Sequence, residues 1–481
     1  MISRRGRRGL VAALAGAALV VGPSGLSAET LAGALSRAYG GNPTLNSLRA
    51  SVRATDENVP RAKAGYRPRV NATADAGATY TRVTTPVGGA GGGDGEGGTV
   101  GGGGGGGEVT REITTFPRGA GLQVDQTLFN GFRTDNAIRQ AESQSLGARE
   151  NLRNTEQNVL FDGATAYMNV LRDTAILSLQ RNNVEVLDEQ LRQTRDRFNV
   201  GEVTRTDVAQ AEARQAGARS QVSLAEATLR TSIARFRQVI GVEPRELAPG
   251  QPIDRLVPRS IEASLALAQD QHPAIHAALH GVDAAELQVK IVEGELFPTV
   301  GVRGSLANRF DSTTRGDERF TASVVGSISI PIYEGGEVYA RTRQSKETVG
   351  QRRIEADSIR DQVRAAVVSA WGQLESAKAQ IIASQAQVQA AETALNGVRE
   401  EARVGQRTTL DVLNSQQELL NARVNLITAQ RDRVVASYAV VQATGQLSAR
   451  ALALRVQIYS AKQHFDQVKD LAIGLRTPDG R

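Results

Sequence analysis

The 481 residues carry 57 Lys and Arg against 51 Asp and Glu, a formal charge of +6, and no cysteine. Arg4, Arg5, Arg7 and Arg8 all precede the first acid, so the remaining chain holds only about +2, too dilute to grip a nucleic-acid backbone. Absence of cysteine excludes disulfides, thiolate chemistry and a lipid-modified cysteine anchor.

In chain order, residues 1–28 read as a secretory signal peptide. The four arginines are followed by the apolar run Leu10–Val21, by Pro23 and by Leu26-Ser27-Ala28, which places cleavage before Glu29. No later stretch is apolar enough for a membrane helix. Short helices are expected from Glu29 to Gly65, restarting near Pro43. A strand follows at about 68–82, with Val70, Ala72, Ala74, Ala76, Ala78 and Tyr80 on one face and Asn71, Thr73, Asp75, Thr79 and Thr81 on the other. Residues 88–107 contain 15 glycines in 20 positions with no Gly-Lys-Ser/Thr behind them, so they predict a flexible extracellular loop rather than a phosphate cradle. A second strand is expected at about 116–129. Proline is then absent from Gly131 to Phe198, where Val170, Leu177, Val184, Leu191 and Phe198 recur every seven places in coiled-coil fashion. Val200-Gly201 stops this helix, Thr204 or Thr206 is available to cap a return helix to Ile240, and the prolines of 242–258 mark a connector.

The remainder repeats this plan. Val200, Gly201, Thr204, Asp207 and Val208 match Val404, Gly405, Thr408, Asp411 and Val412 at an offset of 204, whereas Asn42-Pro43 and Arg67-Pro68 match His272-Pro273 and Phe297-Pro298 at 230. The first copy, 29–241, therefore carries an insertion relative to the second, 259–448. In the second, strands are expected at about 298–310 and 319–332 and a helical hairpin at 335–447, matching the first hairpin at 131–240. Thr408 or Thr409 caps its return helix. The tail 449–481 has weaker periodicity and is expected to lie beside the helices. The predicted class is α+β and mostly helical.

Each expected strand is bracketed by aromatics: Tyr66 and Tyr80, Phe116 and Phe129, Phe297 and Phe310, Phe320 and Tyr333. A tilted strand of that length spans roughly 33 Å, the apolar band of a bilayer with its two aromatic girdles. Four strands cannot close a barrel, and open edges are costly in lipid, so copies of the chain must pool their strands. Two copies give eight strands and a filled interior, three give twelve and a lumen; the sequence does not choose between them.

Chemistry is sparse. His272, His276 and His280 share a helical face, but no acid completes a metal site in register, and they read as a surface stripe. Neither a nucleophile nor a paired acid and base emerges, so the expectation is no catalysis, no metal and no cofactor.

Asn42-Pro43, Gly65-Tyr66-Arg67-Pro68, Ile330-Pro331-Ile332-Tyr333-Glu334-Gly335-Gly336 and both Val-Gly-x-x-Thr-x-x-Asp-Val turns together resemble the TolC outer-membrane efflux protein family from about Glu29 to Ser448. The resemblance implies a homotrimer sharing a twelve-stranded barrel in the outer membrane of a Gram-negative bacterium. An α-helical barrel continues it through the periplasm as a passive duct for proteins or small toxic compounds. It further implies a periplasmic adaptor (a membrane fusion protein) and an inner-membrane ABC or RND transporter as partners, beside outer-membrane lipid and with no nucleic acid. By motif position, Arg407 matches the periplasmic gate arginine, Asp207 and Thr206 its partners, and Gln190 a further member. Asp411 matches a ring of mouth carboxylates, and Val200, Gly201, Thr204, Val404, Gly405 and Thr408 form the tip turns for adaptor docking. Ala402 stands where the family has a gate tyrosine and Asn414 where it has a second carboxylate ring, which implies a looser closed state and weaker cation preference. The rival readings are a soluble periplasmic coiled-coil adaptor, which needs no amphipathic strands with aromatic ends, and a secreted metal-dependent enzyme using the histidine stripe.

Overall fold

A computed structural model describes residues 28–86 and 108–480. The expected leader, save Ala28, and the glycine-rich segment 88–107 lie outside the described residues. In chain order the elements are helices α1 (Leu31–Gly41), α2 (Pro43–Asp56) and α3 (Asn58–Lys63), strands β1 (Arg69–Ala76), β2 (Thr79–Pro86), β3 (Glu108–Thr115) and β4 (Arg118–Asn130), and helices α4 (Arg133–Asn199) and α5 (Arg205–Ile240). The second copy supplies α6 (Ile261–Gln271), α7 (Pro273–Glu293), β5 (Thr299–Phe310), β6 (Glu318–Ser329), α8 (Glu337–Arg403) and α9 (Thr409–Ala443), followed by α10 (Ala461–Val468). The return helix expected to reach Leu447 ends four residues earlier, because Gly445 at φ 80° reverses the chain.

These elements form two compact units, one of residues 28–38, 163–252 and 383–434, the other of 39–162, 253–382 and 435–480. In the first, Leu187 of α4, Ala218 of α5 and Leu413 of α9 share one buried cluster, and Ala391 and Leu395 of α8 pack with Val412, Leu419 and Ala422 of α9 in another. Duplicated side-chain bonds line the hairpins: Arg195 with Glu212 at 2.6 Å and Arg219 with Asp188 at 3.4 Å in the first, Arg399 with Gln416 at 2.8 Å and Arg423 with Glu392 at 2.7 Å in the second. The connector is tied down rather than loose. Glu29 bridges to Leu247, and the fully buried Tyr167 places its hydroxyl 2.6 Å from the carbonyls of both Glu29 and Ala248. Burial pushes that phenol up to about 12.

The second unit holds the antiparallel sheet, in the order β1-β4-β5-β6. Its register puts Asn71, Gln123, Ser305 and Ser323 in one row and Ala72, Leu122, Leu306 and Ala322 in the next, so one face is polar and the other apolar, as the alternation requires. On the polar face Arg303 Nε donates to Asp125 Oδ1 at 2.7 Å, and the hydroxyls of Ser305 and Ser323 lie 2.7 Å apart. Across the apolar rows Val70, Leu122, Leu306, Phe320, Val324 and Ile328 are all exposed in the single chain.

The first-copy strands differ from expectation. The first, expected as one strand at about 68–82, is divided into β1 and β2; the second matches β4 but is preceded by an unexpected strand, β3, which pairs only with β2 as a separate ribbon. Ala76 lies opposite Arg118 and Thr79 opposite Thr115, so the register is unbroken across the gap. The ladder is interrupted where Pro117 has no N–H to donate; its carbonyl still accepts from Gly77 N at 2.9 Å. At the other end, Gly131 turns β4 into α4 at φ 67°, and a Cβ there would lie 2.1 Å from the Gly294 carbonyl oxygen, an approach only glycine permits.

The duplicated x-Pro starts act as N-caps, and here the expected histidine surface stripe is corrected. Asn42 Oδ1 accepts from the N–H groups of Thr44 and Leu45 at 2.9 and 3.2 Å; at the matching position His272 Nδ1 accepts from Ala274 N–H at 3.2 Å. His272 is buried at this cap, whereas His276 Nε2 sits 2.8 Å from the Asp270 carbonyl and His280 Nδ1 3.5 Å from Asp283. Burial, and then neighbouring His276, push His272 down to about 4. A histidine held neutral in the fold binds a proton more readily when unfolded, so its contribution is complete above the ordinary histidine pKa near 6.5 and is lost as pH falls toward 4. His272→Asn keeps an acceptor at the cap, and its thermal unfolding profile should be flatter than wild type between those pH values. Identical profiles would show that His272 does not carry that pH dependence.

Candidate functional site

The duplicated tip turns use one local solution twice. Arg197 and Phe198 near the end of α4 accept from Glu202 N and Gly201 N at 2.9 and 3.0 Å; Glu401 and Ala402 of α8 accept from Gln406 N and Gly405 N at 2.9 and 3.2 Å. This is a Schellman closure with glycine in the left-handed region, φ 81° at Gly201 and 82° at Gly405. Capping boxes then start the return helices. Thr204 N and Oγ1 donate to Asp207 Oδ2 at 2.9 and 2.7 Å while Asp207 N donates back to Thr204 Oγ1 at 3.3 Å. Thr408 and Asp411 repeat these bonds at 3.0, 2.9 and 3.2 Å. The Val-Gly-x-x-Thr-x-x-Asp signature thus encodes a stop and a start, and Thr204 and Thr408, not Thr206 and Thr409, are the caps.

Hydrogen bonds from the threonines hold both aspartates below the ordinary carboxylate range. All of the cap bonds accepted by each aspartate fall on Oδ2, and the caps lose strength only as acid protonates these groups below their ordinary pKa.

Between the two tips lies a cleft of about 860 Å³ lined by residues of both hairpins, among them Gln190, Thr204, Asp207, Gly405, Arg407 and Thr408. Ala402 also lines it, at the position where a larger side chain would narrow the space. Thr206 is exposed on the first turn of α5, outside this lining, and so are Val200 and Val404, which project apolar surface from the turns at 72% and 66% exposure. Asp411 is half-buried at its cap.

Within the chain, Arg407 Nε donates to Glu401 Oε2 at 2.8 Å, while the described bonds of the Asp207 carboxylate are those of the Thr204 cap. The bond to Glu401 raises the Arg407 pKa, with the charges of Glu401 and Asp411 adding to it. Glu401 was not among the sequence candidates; its signal is its place six residues before Arg407, across the Schellman turn, and the first tip has its own ion pair across the turn, Arg197 Nε with Glu202 at 3.0 Å, at the positions of Glu401 and Gln406. Asn414 accepts from Arg214 Nη2 at 2.8 Å, so the neutral residue joins α9 to α5. The cleft thus mixes charges of both signs, Arg407 and Asp207 among them.

Comparison with known proteins decides the family. The profile of the outer membrane efflux protein family matches residues 34–242 and 264–446. The chain belongs to the outer membrane efflux protein family. Outer membrane efflux protein BepC of Brucella suis is 43% identical over 473 residues, covering 98% of this chain and 97% of that protein. Outer membrane protein TolC of Escherichia coli is 26% identical over 375 residues, 69% of this chain and 75% of its own length. In fold, the Campylobacter jejuni CmeC outer membrane channel superposes with a TM-score of 0.76 at 15% identity, covering 91% of this chain and 89% of that one. The efflux protein is therefore an outer-membrane export channel, with the mixed helix and antiparallel-strand fold of such channels. The reading as a soluble periplasmic adaptor is not favoured.

Proposed function

We propose that three copies of this efflux protein close one twelve-stranded barrel in outer-membrane lipid. The helical hairpins continue that barrel into the periplasm as a passive exit duct for proteins or small toxic compounds. A periplasmic adaptor docks at the tip turns, where Val200 and Val404 offer apolar contacts, and an inner-membrane ABC or RND transporter supplies the driving energy. The observation that carries this reading is the four-stranded sheet with β1 and β6 as edges and one uncovered apolar face. In lipid each unpaired edge group costs several kcal/mol, so β1 of one copy pairs with β6 of the next. Three copies rather than two leave a polar-lined lumen.

The native chain has no cysteine, so paired introduced thiols report this directly. Ala72→Cys in β1 combined with Ala322→Cys in β6, treated with a flexible bis-maleimide in outer membranes, should give a ladder ending at three copies. A ladder ending at two, or no ladder, would overturn the trimeric barrel.

At the tip, Arg407, Asp207, Thr206 and Gln190 are proposed as gate residues and Asp411 as a mouth charge. The support is that three of the four gate residues line one cleft and that a charge-assisted bond at an exposed tip is strong enough to hold a closed state yet exchangeable on docking.

A further inference from the structure

A second cavity, of about 480 Å³, opens among α2, the segment preceding α10, and the chain end. Arg49 is held there between two rings, its guanidinium carbon 4.5 Å from the centre of Tyr39 and 5.4 Å from that of Tyr459. Stacking fixes the guanidinium plane. Tyr39 Oη in turn accepts from Tyr459 N at 3.0 Å, which secures the second ring. Arg49 Nη1 donates to Asn46 Oδ1 at 2.8 Å, but Nη2 is buried without an acceptor, and so is the hydroxyl of Tyr459.

Two buried donors without acceptors beside one cavity are costly, each by about 1–3 kcal/mol, and they ask for an acceptor-rich guest. Arg53 lines the same cavity and is only loosely engaged, with Nε 3.6 Å from Asp479 Oδ2 at a half-exposed position near the chain end. Ser460, Gln463 and His464 complete a polar wall. The other carboxylates nearby are committed. Asp56 accepts from His464 and Arg149 at 3.3 Å each, and Glu156 accepts from Ala449 N at 2.8 Å, with burial raising its pKa.

We propose that this cavity is a binding site for a small oxyanion, a phosphate or carboxylate group, held by Arg49 and Arg53 with the Tyr459 hydroxyl as a third donor. Asp479 is its built-in competitor. The Arg53–Asp479 contact is long, at 3.6 Å, and half-exposed on the Asp479 side, so it is weak; an incoming anion displaces Asp479 and takes both guanidinium groups in bidentate fashion. The inference is independent of the export reading, since neither the tips nor the strands contribute to it.

The test is binding calorimetry on the full chain in detergent micelles, titrated with inorganic phosphate and separately with citrate, at an ionic strength held constant with sodium chloride. Saturable binding is expected for at least one of the two, and which one distinguishes phosphate from carboxylate guests. Asp479→Asn should tighten it roughly threefold, and Arg53→Gln, at the rim where folding is not at stake, should weaken it by about tenfold or more. Arg49→Gln should abolish it, with far-UV circular dichroism reporting whether that variant folds. Absence of saturable binding of both anions, or equal affinity in wild type and Arg53→Gln, would overturn the site.

Discussion

Asp56→Ala should destabilise the protein by about 3–5 kcal/mol, the cost of leaving a buried charge without its partner. Asp56 is fully buried at the end of α2. It accepts a short bond from Ser145 Oγ and bonds from Arg149 Nη2 and His464 Nδ1 at 3.3 Å each. Arg149 also stacks 4.6 Å over Phe465. Three chain segments far apart in sequence therefore meet on one carboxylate. Truncation strands Arg149, whose Nε already has no partner, and releases α10, whose eight residues are too few to persist unsupported. Thermal unfolding reads the first effect, and limited proteolysis after Ser460 reads the second. Asp56→Asn retains an acceptor for Ser145 and should fall between the two. An alanine variant with wild-type unfolding temperature and an uncut tail would refute this account of the cluster.

Arg407→Ser should raise single-channel conductance in planar bilayers several-fold while leaving the thermal unfolding temperature at the wild-type value, because its ion pair with Glu401 is half-exposed on both sides. The two companion variants separate the partners. Glu401→Gln reproduces the conductance change if the in-chain bond positions Arg407 in the closed state; Asp207→Asn reproduces it if the latch forms with the first hairpin, and it also weakens the α5 cap by a fraction of the roughly 1 kcal/mol such caps contribute. Unchanged conductance in Arg407→Ser removes this arginine from the gate.

Long-period features were legible in the sequence. The heptad recurrence from Val170 to Phe198 marks a helix that ends at Asn199, one residue beyond the last repeat position, since burial along a hairpin repeats faithfully with its period. The alternation at Phe320 to Ile328 marks β6 for the same reason. What periodicity could not show was where a ladder stops. Tyr80 continues the apolar face of Val70, yet Pro117 on the opposite strand divides the pairing, and proline acts through its neighbour rather than its own segment. At the tips, motif position singled out Asp207 and Asp411, while their local duty as cap partners follows from the threonine three residues earlier. The Asp56 cluster was illegible, because Ser145 and Arg149, one turn apart on α4, meet Asp56 and His464 only through tertiary packing.

The unbroken register across the Pro117 interruption bears on how such a chain diversifies. Pairing of β1 with β4 is fixed by side chains of the four-stranded sheet, so residues gained or lost between Pro86 and Glu108 shift none of its cross-strand partners. For any flexible connection, doubling its length costs only about 0.6 kcal/mol in closure entropy. The difference of 26 residues between the two repeat offsets exceeds the 21 positions between Pro86 and Glu108, so the first copy's extra length also includes part of the β2–β3 ribbon, on which no strand of the four-stranded sheet depends for pairing.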